Sequence, residues 1–358
     1  MSTPPFLTPG RHGQRPGAAR RRRWWIAAVG ILVLAAVGVA AVAMAPANHR
    51  RHTPRHVARL RPTPVVAAAP TRSPVGLPLG KPAFRLSGLG TPRHQVVPLV
   101  FHKPPRDGLE FDLSSGRVLW QRNATRRLPI ASLTKMMTAL ITVESAHSSA
   151  PVLVTRAAVD ADGSKVGVLP VHRELRLESM LYGLMLPSGN DAAVALAQHI
   201  SGTVARFVAR MNAKAAGLGM GCTRFSSPHG FYDQGNFSCA ADLAVLAHYD
   251  LAQRRIARVA HTYHAVLPFP IKGGKLYLAN NNPLLIYGYP GTTGLKTGYT
   301  VAAGRCLVAT AERRGVRLGV VLLDSTAPAT EAKKLLDRAF QRVYHQPPVP
   351  EPAIPPQA

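Results

Sequence analysis

Acidic residues are absent from the first 105 positions of this chain, although those positions hold 16 of its 44 lysines and arginines. The rest of the 358-residue chain carries 28 basic and 17 acidic residues, and they are spread along the sequence. No basic run is interleaved with aromatic residues, and no zinc-finger spacing occurs. The net charge of +27 by itself would suit a nucleic-acid partner, but its distribution argues against one and favours a polyanionic surface, such as a cell envelope or anionic lipid.

Cysteine is scarce, with only Cys222, Cys239 and Cys306. No Cys/His spacing suggests a metal site, so we expect neither a metal nor another cofactor. In an oxidising compartment Cys222 and Cys239 can pair across a loop. Three small, buried, unpaired hydrophobes are an equally good interpretation, and the sequence leaves both open.

Charge is also absent from residues 26–45, which follow the basic run Arg20 to Arg23. A helix over residues 24–45 is about 33 Å long, close to one bilayer core. Arginines before the span favour an N-in orientation. We therefore predict a basic cytoplasmic N-terminus (1–23) and a transmembrane signal-anchor (24–45) in the inner, cytoplasmic membrane, with the remainder periplasmic or extracytoplasmic. A cleaved signal peptide, which would release a secreted protein, is the alternative.

The remaining composition divides the chain into three parts. Residues 46–105 are rich in Pro, Arg, Ala and Val and are predicted to form an extended linker. Residues 106–345 have the length and patterning of a folded domain, and residues 346–358 are predicted to be a disordered Pro-rich tail.

Within the domain, strand patterns occur at both ends and helix patterns in the middle. A β-hairpin is expected at 109–120, and Arg313-Arg314-Gly315 is expected to turn a second hairpin. Helices are predicted at 132–145, 174–184, 191–200, 202–218, 239–251 and 329–344. Strands are predicted at 262–268, 293–299, 305–312 and 316–323. This order predicts an α/β (α+β) domain with one antiparallel sheet flanked by helices.

The most informative short motif is Ser132-Leu133-Thr134-Lys135, which opens an apolar run. Three-residue spacing places a hydroxyl and an amine on one face of a helix. A neutral amine beside a serine can accept its proton, provided that burial and neighbouring cations lower the lysine pKa. Taken alone, the pattern is equally typical of a helix start with a surface lysine.

Two further motifs carry chemistry-bearing side chains. Ser188-Gly189-Asn190 forms a tight loop before a helix, where Ser or Asn is also an ordinary N-cap. Lys296-Thr297-Gly298 lies on a predicted strand, with Lys296 and Thr297 on opposite faces and Gly298 open to a close approach by a substrate.

The three motifs occur 56 and 108 residues apart, in an order that resembles penicillin-binding proteins and serine β-lactamases. The surrounding sequence is similar to that of the low-molecular-mass D-alanyl-D-alanine carboxypeptidases, serine peptidase family S11, over about residues 107–345. The segments that carry this similarity are 129–140, 181–193, 228–230, 294–300 and 303–311. The resemblance implies the serine β-lactamase/D,D-peptidase-like fold, with a helical subdomain beside the sheet.

The resemblance also implies catalytic roles. Ser132 would be the nucleophile and Lys135 its base, Ser188 would relay a proton to the leaving amine, and Asn190 would hold Lys135 and the substrate amide.

Substrate binding is implied for the third motif. Lys296 and Thr297 would bind the terminal carboxylate. The backbone N–H groups of Ser132 and Tyr299, the residue after Gly298, would bind the oxyanion.

The implied activity is removal of the terminal D-alanine from peptidoglycan stem peptides, with β-lactams as acylating inhibitors. D,D-endopeptidase activity, a class A-like β-lactamase and a non-catalytic penicillin-sensing or envelope-binding domain are the alternatives. A class A β-lactamase needs a glutamate to activate the deacylating water, and none occurs between Glu178 and Glu312.

One departure from the family pattern concerns the substrate carboxylate. Some members carry an arginine just before the acid that opens the last helix, whereas here Thr330 precedes Glu331. Carboxylate recognition is therefore expected to depend on Lys296 and Thr297, or on Arg305.

Overall fold

The computed structural model of the chain describes residues 84–90, 95–231, 234–270 and 274–350, which all belong to one structural unit. The predicted cytoplasmic segment, the predicted membrane span and most of the predicted tail lie outside these residues. Within them, no helix combines the length and the apolar composition needed to cross a bilayer.

The described residues form the strands β1 (Asp107–Asp112), β2 (Val118–Arg122), β3 (Leu128–Pro129), β4 (Pro151–Leu153), β5 (Glu174–Arg176), β6 (Phe237–Ser238), β7 (His264–Pro268), β8 (Lys275–Ala279), β9 (Thr292–Thr300), β10 (Gly304–Arg313) and β11 (Val316–Ser325). The helices are α1 (Lys135–Ser145), α2 (Arg156–Val159), α3 (Leu177–Met185), α4 (Asn190–Ser201), α5 (Val204–Gly217), α6 (Ala240–Ala252), α7 (Arg254–His261), α8 (Pro283–Ile286) and α9 (Pro328–Arg342).

A five-stranded antiparallel sheet with the order β2-β1-β11-β10-β9 forms the centre of the domain. Its strands come from both ends of the domain, as the sequence predicts. Arg314 and Gly315, with φ of 47° and 77°, form the tight turn between β10 and β11. The predicted antiparallel sheet and both hairpins are confirmed.

The pleat of the sheet sends alternate side chains into two separate cores. One face packs against α6 and α7, and it carries a cross-strand row of Leu109, Val321, Val308 and Lys296. The opposite face is covered by α9 through Leu335, Leu336 and Phe340. The helices of the middle segment therefore lie on the face of the sheet that carries Lys296.

Two predicted elements differ from the structure. The helix expected at 174–184 begins only at Leu177, because residues 174–176 pair as β5 with β4. The strand expected at 262–268 forms as β7, but it pairs with β8 in a separate hairpin and does not join the central sheet. Neither β8 nor α7 was anticipated.

The last part of the predicted linker packs on the sheet instead of extending away from it. Phe84 and Val97 are buried. Val97 N donates to Leu119 O (2.9 Å) and Ser87 N donates to Gly116 O (2.9 Å). These bonds satisfy backbone groups along β2, which is an edge strand. The folded unit therefore includes residues before 106, and the predicted boundary is wrong here.

The cysteines resolve into one pair and one thiol. Cys222 and Cys239 form a disulfide with Cα atoms 5.7 Å apart. Cys306 lies outside this pair; it is buried, and its Sγ is 3.5 Å from Ala303 O. The pairing joins the segment after α5 to the residue that precedes α6.

Candidate active site

The first motif lies where a 3-10 turn (Ala131–Thr134) passes into α1. Thr134 Oγ1 donates to Ala131 O (2.9 Å), which secures the turn. Lys135 is completely buried, whereas Ser132 is half-buried and lines a cleft. A helix start with a surface lysine is thus excluded.

The amine of Lys135 contacts three oxygen atoms. Nζ lies 2.7 Å from Ser132 Oγ, and it donates to Asn190 Oδ1 (2.6 Å) and to His229 O (2.9 Å). A neutral amine has two N–H groups and one lone pair. Two of the three oxygens are acceptors only, because one is a backbone carbonyl and the other an amide oxygen. With both N–H groups committed to them, the lone pair of Lys135 is left for the Ser132 hydroxyl.

Burial and a neighbouring charge favour the neutral form of this amine. Burial lowers the pKa of Lys135 well below its ordinary value, the nearby Lys296 ammonium lowers it further, and the Asp191 carboxylate opposes the shift. Burial also lowers the pKa of Lys296, to about 7. Burial lowers the pKa of the His229 imidazole to about 4, so the ring stays neutral at pH 7.

The second motif lies at the start of α4. Ser188 has a positive φ of 65°, and its Oγ is buried without a hydrogen-bond partner in the described part of the chain. Gly189 is the N-cap residue, and neither neighbouring side chain caps the helix. Asn190 instead bridges Lys135 and the loop opposite, because its Nδ2 donates to Asp162 O. The ordinary N-cap interpretation is wrong.

Asp191 fastens the loop that faces this motif. Its buried carboxylate accepts from Val166 N (2.9 Å), Gly167 N (3.0 Å) and Ala192 N (2.8 Å). Ser164, on the same loop, lines the cleft. The sequence did not identify Asp191, although it adjoins the Ser-x-Asn motif.

The third motif lies within β9. Lys296 is buried and its Nζ donates to Thr297 O (3.0 Å), while Thr297 lines the cleft. A Cβ on Gly298 would lie 3.0 Å from Ile130 O and 3.1 Å from Ser132 N. The close approach that requires glycine is therefore made by the protein's own backbone, not by a substrate as predicted. This contact brings the Ser132 N–H beside the strand that leads to Tyr299.

His229 completes the site through its backbone. Thr138 Oγ1 donates to Pro228 O (2.6 Å), which docks the turn on α1 and presents His229 O to Lys135. Gly230 allows this contact, since a Cβ there would lie 2.0 Å from Ala131 O. The sequence analysis noted the Pro228-His229-Gly230 motif but assigned it no role. The acceptor is a backbone carbonyl, and the identity of a side chain does not reveal it.

The three motifs meet in one open cleft of about 490 Å³. Its lining residues are Ser132, Ser164, Ser188, Asn281, Pro283, Ile286, Tyr287, Thr297, Gly298, Tyr299, Arg305, Cys306, Leu307 and Pro328. Lys135, Asn190 and Lys296 lie behind this lining, and Tyr299 stands at the surface with a relative exposure of 65%. The cleft is open enough for an extended peptide.

The sheet, the helical region and this cleft have the architecture of the serine D,D-peptidases. The chain belongs to the D-alanyl-D-alanine carboxypeptidase family, whose pattern matches residues 108–327. It is 36% identical over 245 residues to the D-alanyl-D-alanine carboxypeptidase DacF of Bacillus subtilis. That match covers 66% of this chain and 62% of DacF, so the chain spans less than two thirds of this relative.

Solved structures show the same fold. A DD-transpeptidase of Streptomyces superimposes with a TM-score of 0.63 at 30% identity, over 67% of this chain and 99% of that protein. A D-alanyl-D-alanine carboxypeptidase of Mycobacterium tuberculosis gives a TM-score of 0.63 at 30% identity, over 75% of this chain and 97% of that protein. The predicted fold class is confirmed.

Proposed function

We propose that the chain is a serine-type D,D-carboxypeptidase that removes the terminal D-alanine of peptidoglycan stem peptides. The observation that carries the proposal is the 2.7 Å approach of the buried Lys135 amine to Ser132 Oγ in a cleft bordered by the other two motifs. The family and its named relatives support the same activity.

Acylation begins with proton transfer from Ser132 Oγ to Lys135 Nζ. Oγ then bonds to the carbonyl carbon of the penultimate D-alanine, and the oxyanion binds the N–H groups of Ser132 and Tyr299. Collapse of the tetrahedral adduct breaks the C–N bond. The proton held by Lys135 passes through Ser188 Oγ to the leaving amine, so D-alanine departs with an acyl-enzyme on Ser132. Water then hydrolyses the ester, by the same proton path in reverse.

Lys296 supports this sequence by its charge. Its ammonium lowers the pKa of Lys135, which keeps the base neutral before the substrate binds. Asn190 holds the amine through its Oδ1 and ties it to the loop at Asp162.

β-Lactams are proposed as acylating inhibitors at Ser132, with slow release. Among the described residues that line the cleft, none has a carboxylate that would activate water for fast hydrolysis of a penicilloyl ester. This observation ranks a β-lactamase below a carboxypeptidase.

The proposed place of action is outside the cytoplasm, at the peptidoglycan. Its support is the uncharged stretch at 26–45 after a basic run, together with the disulfide between Cys222 and Cys239. The N-terminal stretch is proposed as the anchor.

The purified full-length chain is tested with a peptide ending in D-Ala-D-Ala. Release of free D-alanine is expected from the wild type and not from Ser132→Ala. Absence of D-alanine release by the wild type, with rapid nitrocefin hydrolysis instead, would contradict the proposal and favour a β-lactamase.

A further inference from the structure

Arg305 is the one charged residue among the described residues that line the cleft. It follows Gly304 at the start of β10, and its side chain is exposed. The substrate in the proposed function ends in a carboxylate, and penicillins also carry one. A cleft with a single lining cation therefore offers one place where that charge is matched directly.

The register of β9 and β10 places Arg305 next to Thr297. Thr297 pairs with Leu307, and Arg305 lies two residues earlier on the same strand. Residues two apart share a face, so Arg305 is a diagonal neighbour of Thr297, at about 7–8 Å, a separation that a long side chain spans. Both residues line the cleft.

Lys296 is poorly placed for the same task. It projects to the opposite face from Thr297, is buried, and donates to Thr297 O (3.0 Å). Burial lowers its pKa to about 7, so it carries only part of a positive charge at neutral pH. Its effect on Lys135 is electrostatic and needs no contact with the substrate.

A backbone contact holds the guanidinium at the end of the cleft. Arg305 Nη1 donates to Thr326 O (3.0 Å), in the turn that leads into α9, and Pro328 at the start of α9 lines the cleft beside it. A guanidinium has five N–H donors in a planar fork, which suits bidentate binding of a carboxylate. Thr330, the family's arginine position, is not among the residues that line the cleft.

We propose that Arg305 is the residue that selects a free C-terminal carboxylate, binding it together with Thr297 Oγ1. Arg305, which lies on β10, would thereby bind the carboxylate in place of the arginine that some family members carry just before the acid of the last helix. The proposal rests on the proposed D,D-carboxypeptidase function and names the residue that sets its substrate specificity.

The test compares two forms of one acyl-D-Ala-D-Ala peptide, the free acid and the C-terminal amide, in the full-length chain. Arg305→Gln is expected to lower kcat/KM for the acid about 10- to 100-fold, mainly through KM, while kcat/KM for the amide stays within about twofold. Arg305→Lys is expected to restore part of the preference. Arg314→Gln, in the turn at the far end of β10, is the matched control and keeps the wild-type preference.

Two results would overturn the proposal: an unchanged ratio of acid to amide in Arg305→Gln, or an equal loss for both peptides. The second would show a general distortion of the cleft and no specific role for the carboxylate. Failure of the proposed function is distinguishable, because the wild type would then release neither D-alanine from the free acid nor D-alaninamide from the amide.

Discussion

Two rows of side chains cross the five-stranded sheet, one on each face, and each places an ionisable group among apolar neighbours. On the helix side, Lys296 follows Leu109, Val321 and Val308. On the α9 side, Glu110 stands between Trp120 and Val320. Burial shifts both pKa values toward the neutral form, downward for Lys296 and upward for Glu110.

Lys296 and Glu110 differ in where their strands lie within the sheet. Lys296 is on the edge strand β9, beside the cleft, where its amine has a hydrogen-bond acceptor and acts on Lys135. Glu110 is on the interior strand β1, and neither of its carboxyl oxygens has a hydrogen-bond partner in the described chain. Burial by itself thus does not mark a functional group. The buried group with a proposed function, Lys296, has a hydrogen-bond acceptor and lies beside the cleft, whereas Glu110 has neither feature among the residues that the structure describes.

The largest effect is expected from Lys135→Met, which removes the base and keeps much of the side-chain volume. The rate of acylation by penicillin should fall about 10²- to 10⁴-fold, as measured by stopped-flow or by gel fluorescence with a labelled penicillin. Lys334→Met, on the exposed face of α9, is the control and should react like the wild type. A loss below tenfold would contradict the role of Lys135 as base.

Lys296→Met should change how stability depends on pH. The folded-state pKa of Lys296, about 7, lies below its ordinary value of 10.5, so the unfolded chain binds more protons between these values. The wild type should therefore gain stability relative to the variant as pH rises from 7 to 10, by up to about 1.4 kcal/mol per pH unit. Urea unfolding at several pH values measures this difference. Parallel stability curves would refute the assignment.

Asp191→Asn should slow acylation about tenfold, because asparagine keeps only one acceptor oxygen. Its amide nitrogen cannot accept, so one of the two N–H bonds that hold the loop, from Val166 and Gly167, is lost. It also removes the charge that raises the pKa of Lys135. The rising limb of the acylation rate against pH should therefore shift to lower pH. An unchanged profile, or a shift to higher pH, would show that Asp191 does not act on the base.

The smallest effect on the reaction is expected from Glu110→Gln, which should acylate within about twofold of the wild type. The pH dependence of unfolding free energy that Glu110 contributes is opposite in sign to that contributed by Lys296. The raised pKa of Glu110 makes the folded wild type lose stability as pH rises above about 4.5, whereas the variant has no such loss. The variant should match the wild type near pH 4.5 and exceed it at pH 8. A clear loss of acylation would give Glu110 a functional role.

The sequence predicted the parts of this molecule that local patterning determines. Alternating apolar residues identified β10 and β11, and Arg313-Arg314-Gly315 identified their turn, because both signals lie within a few residues. The three motifs identified the side chains that meet in the cleft. Helix boundaries were less accurate where backbone pairing competed, as at Glu174–Arg176.

Long-range contacts made by backbone atoms escaped prediction. His229 O holds Lys135 across 94 residues and Asp162 O binds Asn190 across 28, and carbonyl groups leave no trace in a sequence. The reason for Gly298 was also misassigned, because the closeness of Ser132 N to β9 depends on how the helices dock on the sheet. Val97 and Phe84 were assigned to a linker because their composition concealed their packing on the domain.

Mass spectrometry of the penicillin-treated chain tests the central claim most directly. After digestion, a single penicilloyl adduct is expected on the peptide that contains Ser132, forming faster as pH rises through the lowered pKa of Lys135. It should persist for much longer than one turnover of the D-Ala-D-Ala peptide. An adduct on a different residue, or no adduct from a chain that releases D-alanine, would contradict Ser132 as the nucleophile activated by Lys135.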